Sequence, residues 1–337
     1  MSTKDRNDTV DTIRAVLVFS VMLYHFTVRW KGENLYNFDG SFSSRLHYGS
    51  LGVDLFFIIS GFFVVHTLTS AGTAFVFIKK RVLRLYPALI VAAVITLVIT
   101  ALIGPPQFTR SLEDYFFSIS LVLPKFLYSS DARLVDGAYW SLVVEMKFYL
   151  WVAALFFIMK WRFWVGLIAV AAAGNILGLV DNGLPQRLFL SPYMHLFLFG
   201  IAGGLYSLRN DRTAAAIIAL AAIAFFICNF HNRSIAENAI IVIGTACISW
   251  LVLADIKIQA KPIAYLGVIS YEIYLIHQNV GVSLIRWFND NTSLPDLASI
   301  VVATATCVGL AALVNLLVRA AFKWASKPKR EIIRNGI

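Results

Sequence analysis

Residues Asp11 to Trp30 read DTIRAVLVFSVMLYHFTVRW. This stretch is long enough to cross a bilayer as a helix, at about 1.5 Å per residue against a core of about 30 Å. It carries Arg14 near one end and His25 deep inside. Eleven residues at about 100° each is about 1100°, so the two side chains leave the helix only about 20° apart. They are about 16 Å apart along the axis. One face of the first span therefore bears a cation near one end and an imidazole in its far half.

Similar apolar runs recur along all 337 residues. Apolar residues make up 59% of the chain and the mean hydropathy is +0.73. The weak ten-residue alternation of a membrane β-barrel is absent, so the fold class is all-α and polytopic. Ten spans are predicted, at 12–30, 51–70, 86–103, 138–159, 163–180, 188–207, 213–230, 238–256, 263–285 and 297–320. With the N-terminus inside, the basic residues from Lys4 and Arg6 through the 79–84 run to Lys323 and Arg334 fall mainly on the inner side. That asymmetry predicts both termini in the cytoplasm. The whole of 1–337 reads as one transmembrane domain, with a short N-terminus, 1–11, and a basic tail, 321–337.

The net charge of +10 is that of a positive-inside membrane protein. With no soluble basic domain it points away from nucleic acid. Cys228, Cys247 and Cys307 lie in apolar segments without metal or disulfide spacing, and no metal is predicted. Lys4 and Arg6 precede an apolar run as in a signal peptide. The run is too long and no small-residue cleavage pattern follows, so it reads as a retained span. The connections at 31–49 and 104–137 are the outer loops, the first rich in Tyr and Phe.

Ionisable residues within spans are the functional candidates. His25, Asp54, Glu145 and His277 all fall in the outer halves of their spans, and shared depth predicts one cavity. The second candidate is Lys79-Lys80-Arg81-x-x-Arg84 on the inner side. Arg81 and Arg84, at i and i+3, read either as a forked phosphate grip or as a head-group contact. His195 reads as core packing. His66 reads as a donor contact or a helix cap, and Glu272 as a partner of a neighbouring helix.

Five stretches together resemble the acyltransferase-3 family of integral membrane O-acyltransferases. They are Asp11-x-x-Arg14-x10-His25, the run from Gly52-Val53-Asp54 to Ser60-Gly61-Phe62-Phe63, and Arg81-x-x-Arg84 ending in Pro87. The fourth is Tyr139-Trp140-Ser141-Leu142-x-x-Glu145-x-x-x-Tyr149, and the fifth, weaker, is Ile269 to His277. Where the family often has Asp-Gly-Leu-Arg, this chain has Asp11-Thr12-Ile13-Arg14. The resemblance implies transfer of an acyl group, acetyl foremost, from cytoplasmic acyl-CoA to a hydroxyl of a glycan or lipid-linked sugar, at a bacterial inner membrane. Arg14, Arg81, Arg84 and Lys80 then hold the donor. His25 is the base, oriented by Glu145 or Asp54. Ser60, Trp140, Ser141, Tyr149 and His277 are contacts for substrate or oxyanion. The alternative is a glycan or lipid carrier without acyl chemistry. The paired halves and matched helix interruptions of many transporters are not evident.

Overall fold

The computed structural model describes residues 8–30, 46–121, 131–180, 183–254, 256–258 and 260–325. Among these residues there is no strand. Helix α1 (Asp8–Tyr24) passes into a π turn, His25–Arg29. A 3-10 turn, His47–Leu51, leads into α2 (Gly52–Ala71), and α3 is Ala74–Ile103. Then come α4 (Leu112–Ser120), α5 (Trp140–Met159) and α6 (Phe163–Gly178). The second half holds α7 (Leu184–Phe189), α8 (Ser191–Arg209), α9 (Arg212–Cys228) and α10 (Ile235–Leu253). It closes with α11 (Lys261–Val268), α12 (Ser270–Asn291) and α13 (Asp296–Ala325).

Local chemistry sets several boundaries. Gly72, at φ 70°, ends α2 in the left-handed conformation that glycine adopts without a Cβ penalty. Thr73 then caps α3 through the Val76 amide. Ser234 and Glu237 form a reciprocal capping box at the start of α10.

Among the described residues, seven helical runs are long and apolar enough to cross a membrane. One of them, Gly137–Gly178, spans 42 residues and contains both α5 and α6. The chain turns at Lys160, φ 51°, and a Cβ on Gly166 would lie 2.5 Å from Leu155, so the two helices fold back on each other. Helix α9 is apolar but has only 17 residues. The predicted ninth span is interrupted at Ile269, between α11 and α12. Helix α12 buries Glu272, His277, Gln278, Asn279 and Ser283, which lowers its hydropathy. The predicted third span, 86–103, lies within α3, which begins earlier, at Ala74. Pro87 lies inside α3, whose 30 residues place the Arg81 to Arg84 run within the helix itself.

Helices α2 and α8 approach backbone to backbone. A Cβ on Gly200 would sit 1.9 Å from the Ile58 carbonyl oxygen, and one on Gly61 would sit 2.2 Å from that of Phe197. Small residues allow this backbone contact, as is common between membrane helices. In the most apolar window of α2, 67% of residues are buried, against 17% in α10. Helix α2 is thus interior, while α10 shows most of its surface to the outside of the bundle.

Candidate active site

The first cluster joins α1 to α12. His25 opens the π turn, and its Nδ1 lies 2.9 Å from the Val21 carbonyl and 3.2 Å from His277 Nε2. The rings are 4.9 Å apart and nearly perpendicular, at 73°. His277 Nδ1 is 2.8 Å from the Tyr274 carbonyl. A carbonyl only accepts, so these bonds assign the proton to Nδ1 on both neutral rings. His25 Nδ1–H then donates to His277 Nε2, and His25 Nε2 is the basic nitrogen.

The turn before α5 anchors this part of α12. The Asp136 carboxylate accepts from the amides of Asn279 and Ala138, both at 2.8 Å. Tyr139 donates to the Leu275 carbonyl, and Tyr274 donates to that of Ala138. Asp136 is fully buried, and burial pushes its carboxyl up to about 7. A Cβ on Gly281 would fall 2.2 Å from Phe26, one residue beyond His25, so this glycine permits the α1–α12 approach.

The second cluster joins α2, α5 and α3. Ser60 donates to Glu145 Oε1 at 2.6 Å, Tyr149 donates to the same oxygen, and Ser60 and Tyr149 hydroxyls are 2.8 Å apart. Arg81 lies over the Tyr149 ring, 4.8 Å from its centroid. Its guanidinium donates to the Phe63 carbonyl at 2.6 Å and to Thr67, and Arg81 is 2% exposed. These bonds direct the Arg81 guanidinium toward α2 and Tyr149, while its Nε has no hydrogen-bond partner among the described residues. Lys80 donates to Ser70 at the end of α2.

The third cluster is a bidentate ion pair. Arg233, in the turn between α9 and α10, reaches both oxygens of Asp54 at 2.6 and 3.0 Å. Asp54 is therefore engaged away from His25. The four carboxylate and imidazole candidates separate into three places: His25 with His277, Glu145 with Ser60 and Tyr149, and Asp54 with Arg233.

A cavity of about 620 Å³ connects the remaining candidates. Arg14, Arg84, Ser60, Ser141 and Glu145 line it, together with Ser270, Tyr271 and Tyr274 from the first turns of α12. Arg84 is exposed, unlike Arg81. Arg14 has Asp11 at 3.6 Å. Ser141 pairs with the Tyr274 hydroxyl at 2.7 Å. The buried Ser270 hydroxyl has no hydrogen-bond partner among the described residues. Tyr274 belongs both to the cavity wall and to the histidine pair, its ring 5.3 Å from that of His277. His25 itself does not line the cavity. Trp140 is half exposed beside Tyr193 and Phe57.

The family model described as an acyltransferase domain, of the acyltransferase-3 type, matches residues 7–315. The chain belongs to the acyltransferase-3 family. Among similar acyltransferase-3 relatives, a Staphylococcus aureus (strain COL) protein named "Putative O-acetyltransferase" is 24% identical over 315 residues, covering 80% of this chain and 49% of that protein. Nodulation protein 10 of Rhizobium leguminosarum bv. viciae is 28% identical over 227 residues, 60% of each chain. O-acetyltransferase OatA of Staphylococcus aureus (strain NCTC 8325 / PS 47) is 27% identical over 154 residues, 42% of this chain and 23% of that protein. The chain thus spans about half the length of the first of these relatives. No solved structure matches it. Apolar helices and family together make it an integral membrane protein.

Other expectations find definite places. Glu272 accepts from Asn315 of α13 at 2.7 Å, a pairing with a neighbouring helix. His195 is buried against Phe226, as core packing predicts. His66 is exposed on α2. The aromatic residues Tyr36, Phe38 and Phe42, the N-terminal Lys4 and Arg6 and the tail beyond 325 lie outside the described residues. Sequence reasoning missed Arg233, Asp136, Ser270 and Tyr274. Tyr274 was within the quoted fifth stretch, and Asp136-Gly137 is a turn signal directly before the fourth.

Proposed function

We propose that the chain is a membrane O-acyltransferase moving an acyl group, acetyl first, from cytoplasmic acyl-CoA to a hydroxyl of an extracytoplasmic or membrane-associated glycan. The reading places it in a bacterial cytoplasmic membrane as one domain of ten spans, with α9, α12 and the α5–α6 hairpin completing the count and both termini inside. The observation that carries it is the cavity lined by Arg14 and Arg84 together with Ser141, Glu145 and Tyr274. A polyanionic thioester donor suits such a cavity. Arg14 and Arg84 meet phosphate groups with forked hydrogen bonds, and Ser270 offers a hydroxyl beside them. Arg81 holds Tyr149 and α2 in place, and Lys80 stands at the end of α2 by Ser70.

His25 Nε2 takes the proton of the acceptor hydroxyl as its oxygen attacks the thioester carbonyl carbon. Collapse of the tetrahedral intermediate breaks the C–S bond, and the thiolate of CoA takes the proton back from His25. The products are the ester and CoA thiol. Ser141 is the hydroxyl near the developing oxyanion, while Ser60 and Tyr149 donate to Glu145 and hold its carboxylate. Trp140 presents an aromatic surface for a sugar. Asp54 holds the α9–α10 turn through Arg233 and takes no part in proton transfer.

The test is acyl release from labelled acetyl-CoA by purified protein, with acceptor glycan, together with mass analysis of surface glycans with and without the protein. His25→Ala is expected to lower transfer by about 100- to 10,000-fold while donor binding is retained. Transfer at the wild-type rate in that variant overturns the assignment of the base. Failure of the wild-type protein to bind acetyl-CoA overturns the donor.

A further inference from the structure

We propose that His277 is a positioning residue for His25, an imidazole in the place where a catalytic triad has a carboxylate. The inference rests on the reading of His25 as the base. Its geometry stands independently of that reading. His277 is fully buried and bonded at both nitrogens, Nδ1 at the Tyr274 carbonyl and Nε2 facing His25 Nδ1 at 3.2 Å. The bond to Tyr274 fixes where the His277 proton sits, so the nitrogen turned toward His25 is an acceptor. That acceptor, with the Val21 carbonyl at 2.9 Å, keeps the His25 proton on Nδ1. Nε2 of His25 is then left as the nitrogen able to take a proton, the tautomer a general base needs.

The surrounding structure is built to hold this pair. The π turn at His25–Arg29 changes the backbone hydrogen-bond register at the histidine, as π turns often do at functional sites. On the other side, Asp136 and Tyr139 bind α12 on both sides of His277, at Asn279 and Leu275. When His25 accepts the hydroxyl proton it becomes an imidazolium. Its Nδ1–H remains directed at the lone pair of His277 Nε2, which disperses the charge. The Nε2 proton then goes to the leaving thiolate, and both rings end neutral. Among the described residues, the other titratable groups facing the pair include Tyr24, 5.1 Å from the His25 ring, Arg29 on the same segment, and Tyr274 on α12. Across α12, Cys307 of α13 sits near Gly281.

The first measurement uses wild-type protein with 15N-labelled histidine, reconstituted in nanodiscs, the His25 resonances being assigned by their loss in His25→Ala. A neutral His25 protonated at Nδ1 is expected. A His25 protonated at Nε2 overturns the proposal, whatever the reaction proves to be. The second uses His277→Ala and His277→Gln with acetyl-CoA. His277→Ala leaves the Val21 carbonyl to hold the Nδ1 proton of His25, so the tautomer is expected to stay while kcat falls by about 100-fold, with KM for acetyl-CoA within about twofold of wild type. It should also move the limb of the pH–rate profile that reports His25. His277→Gln keeps an acceptor oxygen and should recover part of the rate. An unchanged rate and pH profile in His277→Ala overturn the positioning role. If wild-type protein transfers nothing from acetyl-CoA, the proposed function falls, and the shift of the His25 Nδ1 resonance in His277→Ala still decides the pairing, an unmoved resonance overturning it.

Discussion

Replacing Arg81 and Arg84 one at a time separates a structural arginine from a ligand-binding one. Arg81 is 2% exposed, and its guanidinium bonds the Phe63 carbonyl at 2.6 Å and the Thr67 hydroxyl while covering the Tyr149 ring. Hydrogen bonds to a charged group contribute about 1.5–3 kcal/mol each, and a desolvated cation–π contact about 2 kcal/mol. Part of that sum is offset because Arg81→Ala also removes the cost of burying the charge. A net loss of about 3–5 kcal/mol follows, equivalent to a melting temperature lower by about 5–10 °C. Arg84 is exposed on the cavity wall, and Arg84→Ala should change stability by no more than about 0.5 kcal/mol. It should weaken acetyl-CoA binding by about 10-fold or more, the equivalent of one charge-assisted bond. Detergent-purified variants, followed by thermal melting and by labelled-donor binding, give both readouts on one sample. If Arg81→Ala melts with wild-type protein yet loses donor affinity, the reasoning is refuted, because its guanidinium must then face the ligand.

Three further outcomes are expected. Asp54→Ala and Arg233→Ala should each cost about 3–5 kcal/mol, and the double variant should cost little more than either single one; additive losses by thermal melting would show that the two do not act as a pair. Gly281→Ala should cost about 1–3 kcal/mol through overpacking, since its Cβ would meet Phe26 at 2.2 Å, and it should lower acyl transfer by displacing His25 from His277; unaltered melting and transfer would show that the interface yields freely. For Asp136 the carboxyl is raised in the folded protein to about 7 from the ordinary 3.8, so the native state binds the extra proton. Stability should therefore fall as pH rises between about 4 and 7, and Asp136→Asn, though less stable overall because its amide faces a backbone N–H, should flatten that slope in melts across the range.

Much of the fold was legible because membrane helices are encoded locally. A run of twenty apolar residues forms a helix wherever it lies, since its backbone has no other partners in lipid. The first span, α2 and α5 were recoverable for that reason. Helix α12 was harder to place, because its buried Glu272, Gln278, Asn279 and Ser283 dilute the apolar signal. The Arg81 and Arg84 pair shows the limit of angular reasoning within one helix. Residues at i and i+3 differ by about 300°, which leaves about 60° between them. That angle suffices to turn Arg81 into contact with α2 and Tyr149 while Arg84 stays on the cavity wall.

The four outer-half candidates show a second limit. Their shared depth predicts one cavity, but a layer is not a site. Packed helices lie about 8–10 Å apart, so groups at one depth on non-adjacent helices are beyond contact. What divides the candidates is which faces of the packed helices meet, and that depends on residues that carry no chemistry. Gly281 admits Phe26 and so brings α1 against α12, joining His25 to His277. Gly61 and Gly200 hold α2 close to α8, while on another side of α2 Ser60 meets Glu145 of α5. The turn after α9 drops Arg233 onto Asp54. Each of these partners is 85 or more positions distant in sequence. Spacing along the chain says nothing of such pairs. The small residues at helix crossings mark where two helices can meet, though not which two, and it is the second piece of information that assigns His25 its neighbour.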